Sequence, residues 1–229
     1  MWIPVVSFVP HCTRLDVLRY NLFLEETTMN QTAVTRRART IRLRRLVESA
    51  MMLAIATVLS MFPFQGPWAL GGGITVCSML PLVILSWRYG CKWGVFAAFV
   101  YGLLQMVLGI QNVQYADSVP TAILIILFDY VLAFSVIGLA GMFKGRLGRP
   151  RVELVLGIVI TFLVRLGCHY VSGVVVWEVL WPNELGWAAP IWSIAYNASY
   201  MIPEIIITSL VAALSYGPLK KYYQGQDLN

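Results

Sequence analysis

Apolar residues in this chain fall in long unbroken runs rather than in alternation. Five runs stand out, at positions 46–62, 93–110, 120–143, 152–177 and 187–216, with polar or Gly- and Pro-rich stretches between them. A helix needs roughly 20 mostly apolar residues to cross about 30 Å of hydrocarbon, and these runs reach or approach that length. A shorter run, 74–87, covers only about 21 Å at 1.5 Å per residue. It must therefore be short, extended at its ends, or sunk in protein. The strands of a β-barrel alternate in polarity with period two, which these runs do not. The pattern predicts an all-α integral membrane protein with six transmembrane helices.

Composition agrees and charge sets the orientation. The chain has 229 residues, 59% hydrophobic and 12% charged, against about 25% charged in soluble domains. Its net charge of +6 is unevenly placed. Arg36, Arg37, Arg39, Arg42, Arg44 and Arg45 precede the first run, and Arg88 and Lys92 lie between the second and third. Lys144, Arg146, Arg149 and Arg151 lie between the fourth and fifth, and Lys220 and Lys221 follow the sixth. The alternate loops, 63–73, 111–119 and 178–186, hold no Lys or Arg and carry Asp117, Glu178 and Glu184. Because Lys and Arg beside spans stay cytoplasmic, every basic cluster falls on one side, and both termini are expected in the cytoplasm of a multi-pass plasma-membrane protein. The basic excess is thus a topology signal and not a nucleic-acid footprint.

The expected organisation is a basic cytoplasmic extension over 1–45, a membrane domain over 46–218 and a cytoplasmic tail over 219–229. Residues 1–30 lack the basic and apolar segments of a signal peptide. Met29 opens a more coherent start, and a disordered tail is the other reading. The four cysteines show neither a CxxC pair nor metal spacing, so no metal or cofactor is expected. No Walker A motif is present, so the chain itself does not hydrolyse ATP. The first outer loop, FPFQGPWALGGG, reads either as a mobile lid or as a turn.

Ionisable residues inside a bilayer are costly and default to a functional reading. Asp129, Arg165, His169 and Glu204 lie well inside runs, with Asn197 as a fifth polar group. Counted from the outer ends of their helices, Asp129, His169 and Asn197 lie about 14, 12 and 15 Å deep. Three helices thus bring a polar group to one level. Arg165, His169, Gly173 and Trp177 recur every four residues and form one stripe. Gly173 reads as room for a flat ring or as a helix-packing notch. Trp177 reads as an interfacial anchor or as a stacking platform. Arg165 and Glu204, each about 18 Å inward of Trp177 and Trp192, are expected to form a structural ion pair.

A ligand for such a site is flat, aromatic and able to pair with a carboxylate. Tyr130, Trp177, Trp192 and Tyr196 supply ring faces that attract cations. Asp129 supplies an acceptor and Asn197 a donor–acceptor pair. A small cationic heteroaromatic compound fits better than a sugar, a lipid or an inorganic ion.

From about Leu46 to Tyr216 the sequence resembles the thiamine-specific S components of energy-coupling-factor (ECF) importers, the ThiT/YuaJ family. The resemblance rests on AMMLA, GGGITVCSMLPLVIL, FDYVLAFSVIGLAG, RLGCHYVSGVVVW and WSIAYNASYMIPE taken together. It implies that the chain binds thiamine from outside. Delivery inside then involves a transmembrane coupling subunit and two ATPases. It places the family's acidic–Tyr pair on Asp129 and Tyr130, its His, Gly and Trp on His169, Gly173 and Trp177, and its Asn on Asn197. Trp68 corresponds to the outer-loop tryptophan, and Ala50 and Ala54 match the AxxxA pattern for docking on the coupling subunit. Trp192 stands where the family has a tyrosine. GIQNVQYADSVP departs from the family pattern and leaves Tyr115 only as a candidate. Three other readings compete: an S component for another vitamin or a thiamine precursor, an intramembrane hydrolase, and a secondary transporter. The hydrolase would need a metal set or nucleophile that one histidine does not make, and the secondary transporter lacks visible internal repeats.

Overall fold

The computed structural model describes residues 14–64, 66 and 72–228. Every long element among them is a helix. The helices are α1 (Arg14–Ser60), α2 (Leu80–Tyr89), α3 (Cys91–Leu108), α4 (Val119–Phe143), α5 (Pro150–Leu180) and α6 (Ala189–Tyr216). One turn, Lys220–Tyr223, follows. An isolated bridge between Phe64 and Ile74 is the only extended pairing among the described residues. The chain divides into two compact units, Met1–Leu46 and Val47–Asn229.

Four helices, α3 to α6, are long and apolar enough to cross a membrane. Their outward positions carry large apolar side chains: Val107, Ile123, Val164, Ile202 and Leu214 are all exposed. Such a surface is a liability in water and the natural one against lipid, where helices satisfy their own backbone groups.

The short run behaves differently. Its first residues form no helix, and α2 is only ten residues long. All residues from Leu80 to Arg88 are buried, so the segment is short and sunk in protein, and residues 76–79 before it run through bends and turns. Pro81 lies in its first turn, where a missing N–H costs nothing. Ser86 in its last turn donates to Gly138 O of α4 at 2.5 Å and accepts from Gly141 N at 3.0 Å. This polar stitch lies where α3 and α4 touch. A Cβ on Gly138 would come within 2.3 Å of the Gly94 backbone, so that crossing requires glycine.

The second half of α1, from Val47 on, lines up with α3. Trp93 Nε1 donates to Ser49 Oγ at 2.8 Å, and Gln105 Nε2 to Ser60 Oγ at 2.8 Å. Its opposite face is bare: Ala50 and Ala54 are both exposed.

At its C-terminal end α2 presents Arg88, whose side chain is fully shielded. Its Nε meets Glu48 Oε2 at 2.8 Å. Nη1 and Nη2 meet the two Asp227 oxygens at 2.6 and 2.8 Å, and Nη1 also reaches Tyr222 O at 2.6 Å. The Tyr222 ring lies 4.1 Å from its guanidinium carbon. Burial acts to lower the Arg88 pKa, but hydrogen bonds to Asp227 and Glu48 outweigh it and hold the group above its ordinary value. The tail is thereby fastened to α1 and α2.

Candidate ligand site

Asp129 lies where α4 widens into a π-helical stretch, Ile126–Leu132. A second such stretch, Gly173–Trp177, interrupts α5. Helices seldom adopt this geometry, and when they do it is frequently at functional sites. Both interruptions face one cavity of about 290 Å³, close to the lower bound for small-molecule sites.

The Asp129 carboxylate is held by three donors from α5. His169 Nδ1 lies 3.0 Å from Oδ1, while Ser172 Oγ and Trp177 Nε1 donate to Oδ2 at 2.7 and 2.9 Å. Against an ionised carboxylate the imidazole proton belongs on Nδ1. His169 Nε2, buried and without a hydrogen-bond partner among the described residues, lies beside the cavity. The carboxylate is thus oriented and partly neutralised by the protein, with about 14% of its side chain exposed.

Asn197 of α6 joins the same wall. Its Nδ2 donates to Ser193 O at 2.9 Å and to His169 O at 3.4 Å, and its Oδ1 accepts from Tyr200 at 2.6 Å. Gly173 is the contact point between α5 and α6: a Cβ there would stand 2.1 Å from Ser193 Oγ. The space where a Cβ would stand is therefore taken by Ser193 of α6, and Gly173 also lines the cavity.

The aromatic residues are split in their placement. Trp177, Trp192 and Tyr196 line the cavity. Trp177 stacks on Trp181 with centroids 6.3 Å apart and planes 22° from parallel, while its N–H serves Asp129. Trp192 tilts against Tyr196 at 5.8 Å. Tyr130 also lines the cavity, but its hydroxyl is spent on Gly109 O at 2.9 Å and on Asn112 at 3.1 Å. Tyr115 packs edge-on against Trp181 at 4.7 Å and is half exposed. Trp68 lies outside the described residues, as does much of the outer loop, whose Pro63, Gly72 and Gly73 reach the cavity.

Arg165 and Glu204 stand at the inner end of the same cavity. Arg165 Nη1 is 3.7 Å from Glu204 Oε2. Glu204 Oε1 accepts from Thr75 Oγ1 at 2.5 Å, and Thr75 in turn meets Ser78 at 2.6 Å.

Sequence reasoning missed Ser172, Trp181 and Thr75. Ser172 was within reach, since it is three residues from His169 and on the same helix face. Thr75 and Trp181 come from irregular segments, where no periodicity points.

Residues 46–223 match the family model described as Thiamine transporter protein (Thia_YuaJ). Thiamine transporter ThiT of Bacillus subtilis (strain 168) is 31% identical over 186 residues, 76% of this chain and 91% of that protein. Thiamine transporter ThiT of Lacticaseibacillus paracasei is 25% identical over 183 residues, 74% and 85% of the two chains. The solved structure of ThiT from Listeria monocytogenes superposes with a TM-score of 0.64 at 25% identity, covering 80% of this chain and 98% of that one. These matches, with the apolar helices, describe a multi-pass membrane protein among transporters rather than enzymes. The chain belongs to the thiamine transporter protein family, Thia_YuaJ.

Proposed function

We propose that this protein binds thiamine from the outer face of the membrane and is the substrate-binding S component of an ECF-type importer. The observation that carries the reading is the Asp129 carboxylate, fixed by His169, Ser172 and Trp177 on the wall of a ligand-sized cavity. A cationic heteroaromatic ligand finds there a negative charge, His169 Nε2 and the rings of Trp177, Trp192 and Tyr196. Six crossings with both termini in the cytoplasm fit the placement of basic residues, the buried α2 counting as the short one. With no Walker A motif of its own, the chain needs energy from elsewhere. A transmembrane coupling subunit and two ATPases supply it, docking on the exposed small face of Ala50 and Ala54.

Thiamine titration of the purified protein without ATPases, followed by tryptophan fluorescence, tests the reading. Wild type should bind saturably without turnover. Asp129→Asn should weaken binding by about tenfold to a hundredfold, since hydrogen bonds to a charged group are worth about 1.5–3 kcal/mol. Equal affinity in the two proteins would remove Asp129 from the site.

A further inference from the structure

At the inner end of the cavity, Arg165 and Glu204 are poorly described as a closed ion pair. Charged groups are expensive in a membrane interior, and a pair serving only to neutralise itself should close to about 2.7–2.9 Å. Here the nearest approach is 3.7 Å. Arg165 is only 7% exposed, yet its Nε and Nη1 have no hydrogen-bond partner among the described residues. The Phe134 ring, 4.8 Å from its guanidinium carbon, covers the planar group on one side. Glu204, 2% exposed, has one oxygen committed to Thr75, leaving the other on the Arg165 side. Arg165 lies one helical turn, about 6 Å, inward of His169, and both line the same cavity.

We propose that Arg165 and Glu204 form a donor–acceptor subsite at the inner end of the cavity, reading a ligand group that accepts one hydrogen bond and donates another. This rests on the thiamine reading above and adds what the inner wall selects. Arginine can only donate and an ionised glutamate can only accept, so the two together complement a neutral group with both capacities. Thiamine has two such groups: the hydroxyl of its side chain, and the pyrimidine edge, where a ring nitrogen adjoins the exocyclic amine. A phosphate ester has acceptors only and would meet the Glu204 carboxylate.

The test uses thiamine and two analogues, one with the hydroxyl replaced by hydrogen and one with the exocyclic amine replaced by hydrogen. Each is titrated into wild type, Arg165→Lys and Glu204→Gln, with thermal unfolding as a check on folding. Thiamine should bind about tenfold or more weakly to both variants, as for lost hydrogen bonds to charged groups. One analogue, the one lacking the group that is read, should bind wild type more weakly and be indifferent to both substitutions. That analogue identifies the end of the ligand that points inward. Thiamine affinity unchanged in both variants, or both analogues remaining as sensitive to them as thiamine, overturns the subsite. So does wild type binding both analogues within twofold of thiamine, a result that does not depend on the variants folding. Failure of wild type to bind thiamine at all is a separate outcome, which removes the function and this inference with it.

Discussion

Two buried arginines divide the molecule between them. Arg88, at the C-terminal end of α2, has a hydrogen bond on each of its three nitrogens and the Tyr222 ring against its plane. Arg165, inside α5, has a ring beside it but none of that saturation, and its carboxylate partner stands off at 3.7 Å. Both come from one residue type in comparably dry surroundings. Where a guanidinium only has to hold helices together, the fold gives it all its partners. Where it faces a cavity, donors are left over.

The difference predicts that Arg88 governs stability and that Arg165 governs both stability and binding. The largest effect should come from Arg88→Met, which strands Glu48 and Asp227 together. Breaking a buried pair costs about 3–5 kcal/mol, and the low end is expected because Asp227 is a third exposed. Unfolding in detergent should show that loss while thiamine affinity stays unchanged; a change in affinity would abolish the distinction between the two sites.

A smaller effect is expected at the looser pair. Arg165→Met and Glu204→Gln should each cost about 2 kcal/mol, with the double mutant recovering about 1 kcal/mol through their coupling. Strictly additive losses in that cycle would mean the two side chains do not interact.

The smallest effect concerns pH. Burial, and then the Glu48 carboxylate, push the Tyr222 phenol from its ordinary 10 up to about 12. A raised folded-state pKa contributes stability that is complete below the unfolded value and is lost as pH climbs through the folded one. Thermal stability should therefore fall between about pH 10 and 12, and Tyr222→Phe should flatten that part of the curve. An identical slope in the variant would place the alkaline loss elsewhere.

Much of the molecule could be read from the chain because a membrane imposes a long-range rule on local composition. The runs that became α3 to α6 were legible, and so was the coincidence of Asp129, His169 and Asn197 at one level, because depth is a simple count along a helix. What the rise per residue does not carry is which atom meets which. Trp177 was read as an anchor or a platform, yet its indole N–H holds the carboxylate. Arg88 was read as a topology marker because its partners, Glu48 and Asp227, lie 40 and 139 residues away in the chain. Gly173 was open between two readings, and the closeness of Ser193 to it could not be read from spacing. Within GIQNVQYADSVP, Asn112 reaches back to the Tyr130 hydroxyl, a contact between residues 18 apart that spacing alone did not point to.

The π turns at Ile126–Leu132 and Gly173–Trp177 have a consequence for how such a site can arise and vanish. A π turn amounts to one residue more than an α-helix needs over the same length. Losing one residue from either stretch would restore a regular helix and leave the segments beyond it where they are. Only the side chains within the stretch, Asp129 in one and Trp177 in the other, would be re-aimed, while the apolar composition that lets the helices cross lipid would hardly change. Ligand recognition here is therefore separable from membrane insertion by a single codon in either helix, so insertions and deletions, more than substitutions, mark where members of this architecture would part in what they bind.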